Sequence, residues 1–414
     1  MQHKLIAKNT FYQIFARGVT SFIGFLITLI IARKFGVLGY GDFTKITSYV
    51  ALFYLVIDFG LNAFFLQYEN AKFKNLFYLR ILISISIFLL LNVIAFFLPY
   101  NALLGTGFSA AERFGIFIFS FGIFAQSIIL STSAVFQKTV NYYFYMVGMI
   151  IGSVVNLIAI SIFAYLNFSI THILFGFVLS NFIGALTLLF FAKEKILPVS
   201  LDKEFAAKIM KASWPIGLML IFNLVYFRAD MFLLSILKTT KDVGIYGLSY
   251  KFFDFLIALP LFLSNAVYPF LIKAKTDKNI FFNLTGKYFF VFLIASFIAI
   301  IPFWFISPLF TLVKSDFAGS ILPFRILLLS LPFFFTTSLL QWALITLGKQ
   351  KYLMMVYLFS TLLNIALNVV FIPQFSYVAC ATITLVSEGI VFIFLLTQFL
   401  KYRIILERKG QSSA

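Results

Sequence analysis

Ionisable side chains inside otherwise apolar stretches are the residues of this sequence that could do chemistry. A charged group near the middle of a membrane costs about 2.5–3.5 kcal/mol on insertion scales, so such a group usually has a partner or a function. Cations there could attract an anionic substrate, and acids could carry a proton or hold a cation. The nine candidates are Arg17, Lys45, Asp58, Arg228, Asp230, Lys251, Asp254, Arg325 and Glu388.

Membrane-spanning helices are the elements that must position these charges. Of the 414 residues, 62% are hydrophobic and 11% are charged, and the mean hydropathy is +1.03. A soluble domain usually has about 25% charged residues. A hydrocarbon core of roughly 30 Å takes about 20 apolar residues per helix, which divides the chain into about twelve spans. The runs are uniformly apolar rather than alternating, which favours helices over a barrel. The predicted fold class is an all-α integral membrane protein.

The spans fall into two groups of six around a charged segment. Sliding the chain by 206 residues places Tyr40-Gly41 on Tyr246-Gly247 and Lys45 on Lys251. Two halves that start on the same side of the membrane are parallel repeats, related by a pseudo-two-fold axis along the membrane normal. The predicted domains are an N-terminal six-helix bundle at 1–192, a cytoplasmic linker at 193–213, a C-terminal six-helix bundle at 214–400 and a cytoplasmic tail at 401–414.

Lysine and arginine concentrate on one side of the predicted membrane. If the N-terminus is cytoplasmic, the inner segments hold 21 of the 32 basic residues and the outer segments hold 9. The positive-inside rule then places both termini in the cytoplasm. The net charge of +18 is spread over short loops, which predicts anionic lipid or an anionic substrate as a partner and no nucleic acid.

Metal and catalytic motifs are lacking in the sequence. One cysteine and two histidines argue against a disulfide framework and a structural zinc site. No G-x-x-x-x-G-K-[ST] loop and no G-x-S-x-G elbow occurs, so neither ATP hydrolysis of that type nor serine catalysis is expected. We therefore expect no metal, no catalytic residue and no enzyme activity.

Five cations form the predicted substrate-binding set. Lys45 and Lys251 lie near the outer ends of their spans, where a lysine can extend its stem to the interface and need no function. Alternatively, the symmetry of the repeat would place both lysines at a central pathway, where they would attract a diphosphate or an acidic sugar. Arg228 lies deeper in its span and is predicted to face the same pathway, and the set is completed by Arg17 and Arg325.

The acids are candidates for structural ion pairs or for ion coupling. Asp58 and Arg17 lie at similar depth in the first two spans, so we expect an ion pair between them with a structural or a gating role. Asp230 or Asp254 could pair with Lys251. Glu388, midway down the last span, could relay a proton or cation, or could bind Asn364 or Asn368. The coupling candidates are Glu388, Asp58, Asp230 and Asp254, and a proton or sodium ion is the only cofactor considered.

A glycine-rich motif near the N-terminus carries a family resemblance. The first span has no acidic residue and ends in Ala32-Arg33; Phe35-Gly36, Gly39-Tyr40-Gly41 and Asp58-Phe59-Gly60-Leu61 follow. This pattern resembles the Wzx-type O-antigen and polysaccharide flippases of the multidrug/oligosaccharidyl-lipid/polysaccharide (MOP) exporter superfamily. The resemblance implies two six-helix bundles, alternating access and translocation of undecaprenyl-diphosphate-linked oligosaccharide repeat units across the bacterial inner membrane. It also implies work alongside a polysaccharide polymerase and a chain-length regulator.

Three alternatives remain at this stage. A cation-coupled multidrug exporter of the same superfamily would favour an acidic cavity, whereas here Arg17 stands in a first span without an acid. A major-facilitator carrier would have a different loop after its second span. A membrane polysaccharide polymerase or ligase would have a large outer loop, and no outer segment here exceeds about twenty residues.

Overall fold

The computed structural model describes residues 2–67, 72–194, 196–197 and 202–411. Residues 195 and 198–201 of the predicted linker and residues 412–414 of the predicted tail lie outside this part. The chain forms two compact units, Met1–Gly244 (the N-terminal unit) and Ile245–Ala414 (the C-terminal unit). The predicted division into bundles at 1–192 and 214–400 stays a prediction.

The N-terminal unit is helical apart from one small hairpin. The hairpin pairs β1 (Tyr100–Asn101) with β2 (Thr106–Gly107) in antiparallel register. The helices are α1 (Gln2–Asp58), α2 (Leu61–Gln67), α3 (Phe73–Phe97), α4 (Ala110–Ser120), α5 (Gly122–Lys138), α6 (Tyr142–Tyr165), α7 (Ile170–Ala192), α8 (Lys203–Leu237) and the first residues of α9 (Thr240–Ala274).

The C-terminal unit continues α9 and is also helical. Two short 3₁₀ turns, Ser307–Leu309 and Ser315–Ser320, flank α11 and lead into α12. The remaining helices are α10 (Lys278–Ile306), α11 (Phe310–Val313), α12 (Ile321–Thr346) and α13 (Gln350–Gln411).

Two of the helices are too long for one membrane crossing and are broken. At about 1.5 Å per residue, 57 residues would extend about 86 Å, nearly three times the hydrocarbon thickness. α1 breaks at Gly36, whose φ of 68° suits glycine because it has no Cβ. α13 breaks at Ser376 (φ 52°), three residues after Pro373. Hydropathy predicts the last two spans at Tyr352 to Pro373 and Phe375 to Leu400, so the break lies close to the predicted boundary.

The number of helices agrees with the predicted fold. Nine helical segments of the described chain are long and apolar enough to cross a membrane, and two of these contain the breaks at Gly36 and Ser376. α8 is 35 residues long, and about 20 residues are enough for one crossing, so this helix is counted as a further span. Phenylalanines such as Phe96, Phe97 and Phe305 are 70–77% exposed, which suits a surface covered by lipid. The all-α membrane fold with about twelve spans is confirmed.

The predicted second span differs from the observed one. Hydropathy predicts a continuous second span from Phe43 to Phe64, but helical structure stops at Asp58 and resumes at Leu61. Phe59 (φ 42°) and Gly60 (φ 72°) both have left-handed backbone angles. The break leaves backbone carbonyls of α1 without their usual helical donors, which must be replaced inside the membrane.

Candidate functional site

A buried lysine holds together four elements of the N-terminal unit. Lys45 is 1% exposed, and its Nζ lies 3.0 Å from Glu112 Oε1. The same Nζ donates to the Gly107 carbonyl at 2.7 Å and to Thr240 Oγ1 at 2.7 Å. An ammonium has three N–H donors, so all three are used. We call Lys45, Glu112, Gly107 and Thr240 the Lys45 cluster; it joins α1, α4, the hairpin and the start of α9.

A capping box positions the acid of this cluster. Ser109 Oγ accepts from the Glu112 N–H at 3.2 Å, and Glu112 Oε2 accepts from the Ser109 N–H at 2.5 Å. This reciprocal arrangement satisfies two donors at the start of α4. One carboxylate oxygen therefore caps the helix while the other faces Lys45. The Ser-x-x-Glu spacing at Ser109 and Glu112 is a sequence signal for this helix start, although Glu112 is not among the nine candidate charges.

A second acid approaches the same cluster. Asp42 lies within electrostatic reach of both Glu112 and Lys45. The ammonium of Lys45 therefore has two neighbouring carboxyl groups, and an opposite charge nearby favours the ionised form of each group.

Two glycines bring the start of α9 against the turn of α1. A Cβ on Gly41 would lie 2.1 Å from the carbonyl oxygen of Thr240, and a Cβ on Gly244 would lie 2.1 Å from that of Val37. No side chain fits at either position without movement of the backbone. Gly41, the second glycine of the Gly-Tyr-Gly motif, therefore has a structural role. Because it has no side chain, the start of α9 can approach closely enough for Thr240 to contact Lys45.

A buried arginine contacts residues on both sides of the break between α1 and α2. Arg80 of α3 is fully buried, and its Nη2 lies 3.2 Å from Asp58 Oδ1 and 2.9 Å from Asn62 Oδ1. Nη1 donates to Ser131 Oγ at 3.1 Å, and Nε donates to the Ile57 carbonyl at 3.4 Å. Arg80 thus supplies a charge partner for Asp58 and a donor for a carbonyl next to the break.

The expected ion pair between Arg17 and Asp58 is wrong. Asp58 is paired with Arg80, whereas the Arg17 side chain is exposed and acts electrostatically on Tyr145. In the sequence, Arg80 counts among the basic residues of the inner segments. Hydropathy predicts a third span from Leu76 to Leu98, so Arg80 lies four residues inside it, and this depth is the signal that could have identified it.

The remaining candidates of the N-terminal unit lie on α8. Arg228 is half-buried, and Asp230 is 4% exposed. Asp230 Oδ1 accepts from the backbone N–H of Met231 at 2.7 Å. A cavity role for Arg228 stays a prediction.

The candidates of the C-terminal unit have different environments. Lys251 is exposed and Asp254 is half-buried. Lys45 and Lys251 occupy equivalent positions in the predicted repeat but have different environments. Lys45 is buried and uses all three of its N–H donors, whereas Lys251 is exposed. Arg325 Nε donates to Ser307 Oγ at 2.9 Å, and its guanidinium lies 5.0 Å from the Trp304 ring centroid, so it holds the 3₁₀ turn after α10.

Glu388 lies in a buried polar environment of the C-terminal unit. It is 3% exposed and accepts from Thr337 Oγ1 of α12 at 2.8 Å. Asn364, one expected partner, donates instead to the neighbouring Ser387 at 3.1 Å. Asn368, the other, donates to Asn364 at 2.9 Å.

Comparison with known proteins decides the family. A model described as "Polysaccharide biosynthesis protein" matches residues 6–275, which is 270 of 414 residues. The chain belongs to this polysaccharide biosynthesis family. A second model, MatE, matches residues 215–370. A search of curated proteins gave no match.

Solved structures of the same fold are transporters and flippases. The lipid II flippase MurJ in an inward closed conformation aligns at 15% identity and a TM-score of 0.77, covering 94% of this chain and 87% of that one. An inward-facing multidrug resistance MATE transporter aligns at 14% and 0.66, covering 98% and 96%. A MOP superfamily transporter from Pyrococcus furiosus aligns at 13% and 0.62, covering 95% of each.

The chain therefore belongs to the polysaccharide biosynthesis family and has the fold of MOP superfamily transporters. The fold is shared with solved structures of transporters and flippases, which favours the exporter interpretation over a polymerase or ligase and over a major-facilitator carrier.

Proposed function

We propose that this protein flips undecaprenyl-diphosphate-linked oligosaccharide repeat units across the bacterial inner membrane by alternating access. The observation that carries the proposal is the polysaccharide biosynthesis family match over residues 6–275. The similarity in fold to a lipid II flippase supports the proposal, because that protein is named as a flippase with a lipid substrate. Both termini are cytoplasmic in this proposal, and a polymerase and a chain-length regulator of the same pathway act on the product.

Cations lower the cost of moving a diphosphate through a low-dielectric environment. Of the five predicted cations, Lys45 has all three of its donors engaged within the protein, and Arg325 donates its Nε–H to Ser307 while its guanidinium lies against the Trp304 ring. The proposal assigns substrate attraction to Arg17 and Lys251, which are exposed, and to Arg228, which is half-buried. Arginine suits this role because its planar guanidinium can bind a phosphate with two parallel hydrogen bonds.

Ion coupling is assigned to Glu388 in this proposal. A buried carboxyl group whose charge changes with a bound proton or sodium ion can couple that ion to a conformational change. Asp58 is withdrawn from the coupling set because Arg80 already balances its charge. Asp230 and Asp254 stay as secondary candidates.

Charge reversal in cells tests the anion pathway. Arg17→Glu, Arg228→Glu and Lys251→Glu, singly and combined, are expressed in bacteria that lack their own flippase. We expect surface polysaccharide to fall at least about tenfold in the combined variant, because reversed charges repel the diphosphate. Lys314→Glu, at an exposed position, is the matched control. Full export by the triple variant at normal membrane abundance would rule out the assigned site.

Transport by the purified protein tests the substrate itself. Proteoliposomes that contain a fluorescent undecaprenyl-diphosphate oligosaccharide in both leaflets are treated with an added glycosidase that cannot enter. A flippase exposes the inner pool to the enzyme, so complete cleavage is expected, against about half in protein-free vesicles. Half cleavage in the presence of folded protein contradicts the proposal.

A multidrug exporter is the second candidate, supported by the MatE match over residues 215–370. It predicts efflux of cationic dyes that depends on a proton or sodium gradient. The same proteoliposomes distinguish the two: dye accumulation without flipping of the lipid-linked sugar favours the exporter.

A further inference from the structure

An open pocket lies where the ends of four helices of the N-terminal unit meet. Its volume is about 460 Å³, within the roughly 300–1,000 Å³ typical of small-ligand sites. The end of α2, the start of α3 and the ends of α5 and α7 contribute to it. Neither the Lys45 cluster nor the Arg80 contacts belong to it.

The lining of this pocket is strongly basic. Four lysines and one acid face it: Lys72, Lys74, Lys138, Lys193 and Glu194. The formal charge of the lining is therefore +3. Like charges brought into one concavity repel one another, and an anion placed among them removes that repulsion. The pocket thus has the electrostatics of an anion site.

The lysines project from helix ends that fix their positions. Lys193 closes α7 in a left-handed conformation (φ 54°), with its N–H donated to the Phe190 carbonyl at 3.3 Å. Lys72 is the N-cap of α3, and the Nζ of Lys138 lies 5.0 Å from the centroid of the Phe65 ring. The cations are therefore held by secondary structure rather than spread along a loose loop.

The rest of the lining is apolar. Phe65, Phe73 and Val135 also border the pocket and are 2%, 5% and 6% exposed. A basic rim next to apolar side chains matches a molecule with a charged head and a hydrocarbon part. Basic pockets between transmembrane helices are known to take lipid head groups.

We propose that this pocket binds the phosphate of a membrane lipid that carries net negative charge. Two lipids supply this chemistry, an anionic phospholipid and a prenyl diphosphate, and the experiment below separates them. The proposal does not rest on the proposed transport activity, because it concerns binding at a site apart from the assigned pathway cations.

Lipid binding to the purified full-length protein tests the site. Native mass spectrometry measures apparent dissociation constants for phosphatidylglycerol, undecaprenyl diphosphate and, as a zwitterionic reference, phosphatidylcholine. The pocket variant is K72Q/K74Q/K138Q/K193Q. The matched control is K273Q/K275Q/K278Q/K287Q, which removes four exposed lysines that do not line the pocket.

We expect the pocket variant to bind at least one of the two anionic lipids at least about 25-fold more weakly, since each basic residue contributes roughly fivefold to binding an anionic surface and two of the four lysines already account for that loss. The control should change by less than about threefold. If the quadruple variant does not stay monodisperse, K72Q/K193Q, at two exposed positions, should show a loss of about 25-fold, roughly fivefold for each lysine.

The arms of this experiment identify the source of the phosphate. A loss confined to phosphatidylglycerol assigns the site to membrane phospholipid, and a loss confined to undecaprenyl diphosphate assigns it to the prenyl lipid. Equal binding by the pocket variant and the wild type overturns the proposal, as does an equal loss in the control. Inorganic pyrophosphate that binds as tightly as either lipid would overturn the lipid assignment.

Discussion

Arg80 and Asp58 form an ion pair directly beside a break in a membrane helix, with Nη2 and Oδ1 3.2 Å apart. The break explains the pair. The same guanidinium also donates to the carbonyl of Ile57, whose normal helical donor is lost because the chain turns at Phe59 and Gly60. A single arginine therefore neutralises the acid and satisfies the backbone, two requirements that water would meet in a soluble protein.

Removal of Arg80 should destabilise the protein strongly. Arg80→Met leaves Asp58 without its cation and the Ile57 carbonyl without this donor, and loss of one partner of a buried pair typically costs about 3–5 kcal/mol. Thermal or denaturant unfolding in detergent measures the effect. Arg17→Met, at an exposed position, is the control and should change little. If the stability loss of Arg80→Met/Asp58→Leu equals the sum of the losses of the two single variants, the two residues are not energetically coupled.

Lys45 and Lys251, which are equivalent in the predicted repeat, should contribute differently to the stability of the protein. Lys45→Met removes three hydrogen bonds and leaves Glu112 buried without its cation, so we expect a loss of about 3 kcal/mol or more in unfolding free energy. Lys251→Met, at an exposed position, should fall within about 0.5 kcal/mol of wild type. Equal stability of the two variants would contradict the structural role of Lys45.

Two kinds of glycine in α1 predict opposite effects of alanine. Gly41→Ala places a Cβ against the Thr240 carbonyl, and overpacking of this kind costs about 1–3 kcal/mol. Gly24→Ala meets no atom within 4 Å and should stabilise the helix by about 0.5–1 kcal/mol, because alanine has less backbone entropy to lose. Unfolding midpoints of the two variants give the test. A neutral Gly41→Ala would show that the start of α9 does not need this close approach.

Hydropathy and glycine positions were sufficient to predict the fold, whereas side-chain partners were not predictable from them. The number of spans and the boundary near Pro373 follow from local composition, although the break at Phe59 and Gly60 inside the second span does not. The partner of Asp58 does not, because depth along a helix says nothing about which neighbouring helix packs against it. Arg17 and Arg80 were both at suitable depth, and only the packing of α3 selects Arg80.

The same limit explains why the sequence did not predict the burial of Lys45. The offset of 206 residues assigns Lys45 and Lys251 equal positions along the chain. Burial of Lys45 depends on Glu112, Gly107 and Thr240, which come from three other elements. Sequence periodicity carries no information about such contacts. The capping box at Ser109 and Glu112 was visible, but nothing in its spacing links it to Lys45.

Glu388 provides a prediction that separates coupling from stability. Glu388→Gln keeps an acceptor for the Thr337 hydroxyl, 2.8 Å away, but removes the group that can gain or lose a charge. We therefore expect near-normal unfolding and at least about a tenfold loss of gradient-driven transport in proteoliposomes, a loss typical of a missing proton-transfer group. Thr337→Val removes the hydrogen bond and keeps the charge, so its main effect should be on stability, about 1–3 kcal/mol. Transport by Glu388→Gln that still follows the proton or sodium gradient would remove this residue from the mechanism.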